Sequence, residues 1–226
     1  MTPPPRTPKS ALPKFYDLGN ISSKDLSLGQ RHELGRSQIY QLLKTGHRAL
    51  SFGGGHDYGY CEGAGYIDWC NDHGQRPLII NFDAHFDLRQ ATMATSGTPF
   101  LQIAEHCQAE AIPFHYCCLG ISEASNTRAL FTRADHLGVK YLQDDNLNSW
   151  QLPQVEAKLE EFLRPCQALY LSIDLDVLPA ETAPGVSAPA ARGVPLPILE
   201  HLLTFIKKVA QNRFKVADIA EYNPQF

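Results

Sequence analysis

The stretch NFDAHFDLR, residues 81–89, places Asp83, His85 and Asp87 at alternate positions. A second segment, SFGGGHD at 51–57, offers His56 behind three glycines. A third, SIDLDVLP at 172–179, offers Asp174 and Asp176. Four carboxylates and two imidazoles gathered in one place repel and polarise one another, and they could not all stay ionised unaided. A pair of divalent cations would supply the compensating charge. Carboxylate oxygen with some imidazole is a hard ligand set that suits Mn²⁺ better than a structural zinc site, although Zn²⁺, Fe²⁺ and Co²⁺ also accept it. Two ions that share a carboxylate can activate a water molecule at neutral pH. Taken singly, each motif has an ordinary explanation, because an aspartate after a strand often caps the next helix. Their joint chemistry depends on whether the fold brings them together.

The elements that would do so can be read from the apolar pattern. Short β-leaning runs occur at residues 47–52, 77–82, 114–121, 139–142, 168–173 and 213–220. Several are apolar without interruption, as strands covered on both faces are. Helical spacing occurs between them, at residues 37–46, 97–108, 123–134, 152–163 and 195–211, the first ending at a Gly suited to a C-cap. Repeated alternation of strand and helix predicts an α/β fold with a mainly parallel sheet and helices on both faces. GGGH, DAHFD, SIDLD and the late segment IAEYNP (219–224) each follow a predicted strand. The C-terminal edge of a parallel sheet is where ligands bind, so four separated segments are expected on one rim.

The bulk properties agree with one ordinary globular domain. The chain has 226 residues and a formal net charge of −4, which gives no electrostatic reason to expect nucleic acid or an anionic membrane as partner. No apolar run is long enough to span a bilayer. Residues 1–14 are Pro-rich and read as an arm, and residues 15–226 as a single domain. The start lacks the apolar stretch of a secretory signal, so a cytoplasmic protein is expected. The six cysteines form no CxxC pair and are expected as free, partly buried thiols.

GGGH, DAHFD and SIDLDVLPAETAPGVSAP resemble the arginase, agmatinase and formimidoylglutamase family, the ureohydrolases, and the likeness runs from about residue 17 to the end. The resemblance implies a three-layer α/β/α fold and two manganese ions per chain. It assigns His56, Asp83, Asp87 and Asp174 to one ion, and Asp83, His85, Asp174 and Asp176 to the other, with Asp83 and Asp174 as bridges. It also implies hydrolysis of a C–N bond at a guanidino or formimidoyl carbon. Glu221, in EYNP, matches a family glutamate that pairs with the cationic nitrogens of the substrate. A planar amidinium and a carboxylate form charge-assisted paired hydrogen bonds.

Within the family, DLR at 87–89, SGTPF at 96–100 and APGVSAP look most like formimidoylglutamases, the histidine-degradation branch. Phe100 stands where arginases carry a proton-shuttling histidine. The expected substrate is N-formimidoyl-L-glutamate, a small molecule with an amidine and two carboxylates. Arg89 could clamp one carboxylate in fork geometry, with Ser96 and Asn126 completing that site. An agmatinase or guanidino-acid hydrolase is the alternative within the same chemistry. A catalytically silent homologue with a binding role is the alternative outside it. Assembly as a homo-oligomer is compatible with either. Compared with the family pattern the chain looks shortened at both ends, which predicts a vacant position inside the sheet unless another segment fills it.

Overall fold

The computed structural model describes residues 14–21 and 25–225. The Pro-rich arm expected at residues 1–14 lies almost wholly outside the described residues. Six strands form the sheet: β1 (Ala49–Phe52), β2 (Pro77–Phe82), β3 (Tyr116–Ile121), β4 (Lys140–Gln143), β5 (Ala168–Asp174) and β6 (Phe214–Ala220). They run in the order β1-β6-β5-β2-β3-β4, and every neighbouring pair is parallel. All six coincide with the apolar runs of the sequence to within two residues.

Among the described residues six helices flank the sheet: α1 (Leu28–Lys44), α2 (Gly59–Asp72), α3 (Pro99–Ala109), α4 (Arg128–His136), α5 (Leu152–Leu163) and α6 (Leu196–Ala210). Successive residues of a strand point to opposite faces, and β2 shows the consequence. Ile79 joins a core built with Ile39 of α1, Tyr66 of α2, Ile103 of α3 and Leu130 of α4. Its neighbour Ile80 joins a second core with Leu159 of α5 and Leu202 of α6. Both isoleucines are fully buried. Each such side chain contributes about 1.5–3 kcal/mol relative to exposure. The result is the expected three-layer α/β/α arrangement, with β2 and β5 at its centre.

Three helices depart from the sequence pattern, the simplest being α4, which begins five residues after the expected start. Helix α1 begins nine residues before the expected start, at a capping box in which Ser27 and Gln30 satisfy each other's backbone N–H groups. Helix α2 has no counterpart among the expected helices. Its sequence, GYCEGAGYIDWCND, is glycine-rich, and glycine disfavours helix. Packing explains the choice: a Cβ at Gly65 would lie 2.4 Å from the carbonyl oxygen of Arg36 in α1, and one at Gly63 would lie 2.2 Å from Ile103 in α3. The glycines let α2 lie directly against its neighbours, and tertiary contact overrides local propensity.

Among the described residues the vacancy expected inside the sheet is absent. The strands pair from β1 to β4 without a gap, because β1 and β6 are joined in register from Ala49–Val216 to Phe52–Ile219. The short element is instead an edge: β1 pairs on one side only and leaves Leu50 and Phe52 exposed. All six cysteines are free and buried, as expected. Among the described residues no helix is long and apolar enough to cross a membrane.

Candidate metal centre

The strand order β1-β6-β5-β2 sets four C-terminal ends side by side, and each delivers one motif. His56 follows β1, Asp83 follows β2, Asp174 ends β5, and Glu221 follows β6. His56, Asp83, Asp174 and Asp176 are almost completely buried, and Asp87 is nearly so. Asp87 takes a left-handed backbone (φ 51°), a conformation that Asp tolerates better than most residues. There its carbonyl accepts from Phe100 N–H at the start of α3, which locks the DAHFD loop to the helix.

Two groups of donor atoms result. His56 Nδ1 lies 3.3 Å from Asp83 Oδ2, 3.0 Å from Asp87 Oδ2 and 3.0 Å from Asp174 Oδ2. His85 Nδ1 lies 2.9 Å from Asp176 Oδ2 and 3.5 Å from Asp83 Oδ1. His56, Asp83, Asp87 and Asp174 thus form one set, and Asp83, His85 and Asp176 the other. Asp83 gives one oxygen to each. Asp174, expected as a second bridge, joins only the first set here. Its Oδ1 accepts the Asp176 backbone N–H at 2.8 Å and caps the short turn that follows β5.

The fit to metal follows from one atom in particular. His56 Nδ1 is buried among three carboxylate oxygens yet makes no hydrogen bond of acceptable geometry. An unpaired buried polar atom is costly, and a cation at the point where these donors converge would satisfy all four. Without it, protons carry the charge balance. Burial alone would lower both imidazoles, yet the carboxylates raise His56 well above its ordinary range and His85 to about 11. Burial, with the Asp83 charge adding to it, pushes Asp87 up to about 7 and Asp176 up to about 6.

These shifts fix a pH dependence. A carboxyl with a raised folded pKa holds its proton more tightly in the folded than in the unfolded chain. The stability it contributes is complete below about pH 4. It is lost as pH rises through about 6 for Asp176 and about 7 for Asp87. A metal ion must displace these protons and those of the imidazoles. Mn²⁺ should therefore bind at least ten-fold more weakly at about pH 5.5 than at about pH 8. Calorimetric titration at both pH values checks this, and an affinity that does not change would contradict it.

The second half of the site is a cavity of about 530 Å³ lined by residues including Gly54, Gly55, Asp57, Ser96, Ser187 and Glu221. Glu221 is buried, with one carboxylate oxygen accepting from His56 N–H at 3.0 Å and the other from the Ser187 hydroxyl at 2.6 Å. Ser96 lines the same cavity. Arg89 is exposed and lies along Gly97, the residue next to Ser96. Among the described residues Asp87 pairs with His56 and not with Arg89. Asn126 is placed differently from the expectation. Its amide oxygen accepts from Phe86 N–H, and its NH₂ donates to the carbonyls of Ala84 and Ser122. It is buried in the wall behind the DAHFD loop and braces that loop, so it does not line the cavity.

Several contributors escaped the sequence reading. Asn81 donates to Asp83 Oδ2 at 2.8 Å, Ser172 contacts His56 Nε2 at 2.8 Å, and Ser187 holds Glu221. For the first two a signal existed: each is a polar residue inside a strand that is otherwise apolar, and a buried polar group needs a partner.

The sequence model of the arginase family matches residues 6–226. The chain belongs to the arginase family. Among this family's curated relatives it is 48% identical over 213 residues to the formimidoylglutamase of Aeromonas salmonicida, and 44% identical over 222 residues to that of Cupriavidus pinatubonensis. These alignments cover 92% and 97% of this chain, and 66% and 69% of the relatives. The chain therefore spans about two thirds of the length of the arginase-family relatives it matches. Among solved arginase-family structures, the formimidoylglutamase of Bacillus subtilis superposes with a TM-score of 0.80 at 26% identity, covering 93% of this chain and 64% of that one. The Trypanosoma cruzi formiminoglutamase with Mn²⁺ shares the fold at a TM-score of 0.79 and 22% identity, covering 93% and 68%.

Proposed function

We propose that this arginase-family chain is a binuclear metal hydrolase that cleaves N-formimidoyl-L-glutamate to L-glutamate and formamide. The observation that carries the reading is the Asp83 carboxylate, shared between two donor sets, with the cavity-lining carboxylate of Glu221 bonded to the backbone N–H of His56 in the first set. His56, Asp83, Asp87 and Asp174 would hold one ion, and Asp83, His85 and Asp176 the other. Manganese suits this oxygen-rich set, and it is the metal present in the T. cruzi structure of the same fold. Two such ions, when bound, supply an activated water and Lewis-acid polarisation of the scissile carbon.

The chain's own residues orient the substrate. Glu221 presents a carboxylate to the amidinium, and its two hydrogen bonds to His56 N–H and Ser187 fix its plane. Arg89, exposed beside Gly97 and outside the cavity lining, would reach a substrate carboxylate from the solvent side, and Ser96 would add a hydroxyl from the cavity wall. The relatives named as formimidoylglutamases favour this substrate over a guanidino compound. So does the guanidinium at position 89, which would repel a dicationic substrate such as agmatine.

A panel of N-formimidoyl-L-glutamate, arginine and agmatine with added Mn²⁺, monitored for glutamate, formamide and urea, tests the reading. Glutamate and formamide from the first substrate are expected. Urea from either of the others, with no formamide from the first, would overturn the substrate assignment. Arg89→Ala should act mainly through KM. Because Arg89 is exposed, water screens the lost pair, and a cost of about 1–2 kcal/mol, roughly ten-fold, is expected. Arg89→Lys should recover only part of it, since an ammonium lacks the two-pronged contact. An unchanged KM in Arg89→Ala would remove Arg89 from the carboxylate site.

A further inference from the structure

Behind His56, on the side away from the carboxylate ligands, lies a second buried polar group that the proposed reaction does not use. His56 Nε2 is 2.8 Å from Ser172 Oγ, and the Ser172 hydroxyl donates to Asp218 Oδ1 at 2.9 Å. Asp218, on β6, is 1% exposed. Facing it from α2 is Glu62, 2% exposed. Glu62 Oε2 and Asp218 Oδ2 are both buried atoms without a hydrogen-bond donor. No lysine or arginine is among the groups acting most strongly on Glu62, which are Asp218, Ser51 and His56. Two buried carboxylates on neighbouring elements, each with an oxygen that finds no partner, are costly unless one carries a proton.

The hydrogen-bond directions say which one. A metal on His56 Nδ1 leaves the ring proton on Nε2, so Nε2–H must donate to Ser172 Oγ. The Ser172 hydroxyl must then donate onward, and Asp218 Oδ1 can only accept. Asp218 Oδ1 accepts from two hydroxyls, those of Ser172 and Tyr58, and two such donors favour the charged form there, which leaves the shared proton to Glu62. We propose that Glu62 is a positioning residue that keeps its proton at neutral pH and donates it to Asp218, holding a single carboxylate one hydroxyl away from the metal ligand His56. Through Ser172 that carboxylate fixes the imidazole's tautomer and raises its basicity toward the metal, as a carboxylate behind a ligating histidine does. Burial, with the Asp218 charge adding to it, raises Glu62 well above the carboxylate range in agreement with this. Asp218 and Ser172 stand opposite each other in the β5–β6 register, so the sheet itself sets the spacing.

This inference rests on the two-ion reading for the tautomer of His56 and for its last link, and the experiment separates the two. Infrared spectra of metal-free wild-type protein and of Glu62→Gln, both near pH 7.5, test the protonation directly. The difference spectrum should contain the carbonyl stretch of a neutral carboxylic acid, lost in the variant. Glu62→Gln retains a donor toward Asp218 and an acceptor toward Ser51, so it should fold and bind Mn²⁺ within about three-fold of wild type. Glu62→Ala should weaken Mn²⁺ binding, and Asp218→Asn should weaken it by about ten- to a hundred-fold. A difference spectrum without the acid band would overturn the proposal. So would a Glu62→Gln protein that is unfolded or binds Mn²⁺ as poorly as Asp218→Asn. If wild type binds no Mn²⁺ but shows the acid band, the metal reading fails and the shared proton stands.

Discussion

Asp83→Asn should empty both halves of the metal centre and cost the largest loss of any single change. Asp83 is fully buried and gives one oxygen to the His56 set and the other to the His85 set. Both imidazoles hold it ionised, below the usual carboxylate range, against the opposing effect of burial. An amide at this position has nearly the same shape but no charge, and it presents an NH₂ where an oxygen ligand is needed. Bound Mn²⁺ should fall from near two equivalents to below half an equivalent. Two-ion activation is worth several kcal/mol at the transition state, so hydrolysis should fall on the order of a thousand-fold or more. Asp176→Asn provides the contrast: it touches only the second set and should leave about one equivalent bound. Asp83→Asn protein retaining two equivalents would remove Asp83 from its bridging role.

Glu221→Gln should leave the metal centre loaded and cripple the enzyme. The side chain is buried at the cavity wall, and its backbone is held in the left-handed region (φ 62°), which is uncommon for Glu. A chain tolerates such a backbone where the surroundings enforce it. Here Glu221 N–H bonds to Gly54 O, and Asn223 N–H bonds to Gly185 O. Glutamine keeps an oxygen for His56 N–H and leaves Ser187 a partner, so folding should be unaffected. What it loses is the negative charge that the proposed reading sets opposite the substrate amidinium. A charge-assisted pair at a buried position is worth about 3 kcal/mol, or roughly a hundred-fold in kcat/KM. Steady-state kinetics on N-formimidoyl-L-glutamate with metal analysis of the same sample checks this. Wild-type kcat/KM in Glu221→Gln would show that the carboxylate does not read the amidinium.

The strands and the ligand motifs were legible because burial on both faces writes itself as uninterrupted apolar runs. PLIINF and ALYLSI became β2 and β5, and the polar residues after them fall in the two donor sets. Helix α2 was hidden because its glycines serve close packing against α1 and α3, a tertiary reason that no local pattern carries. Asn126 shows the opposite difficulty. Its type suited a substrate contact, but a buried amide among loop carbonyls satisfies those first. Asp174 was expected to bridge; its Oδ2 stands in the first donor set, while its Oδ1 caps the turn that carries Asp176. Asn81, Ser172 and Asp218 could have been found as polar residues inside apolar strands, although their partners lie far away in the chain.

The central claim is that six side chains at the ends of three strands form a two-ion centre. Elemental analysis of wild-type protein, loaded with Mn²⁺ near pH 8 and freed of excess metal, tests it most directly. The account predicts close to two equivalents per chain. Less than half an equivalent in well-folded protein would contradict it.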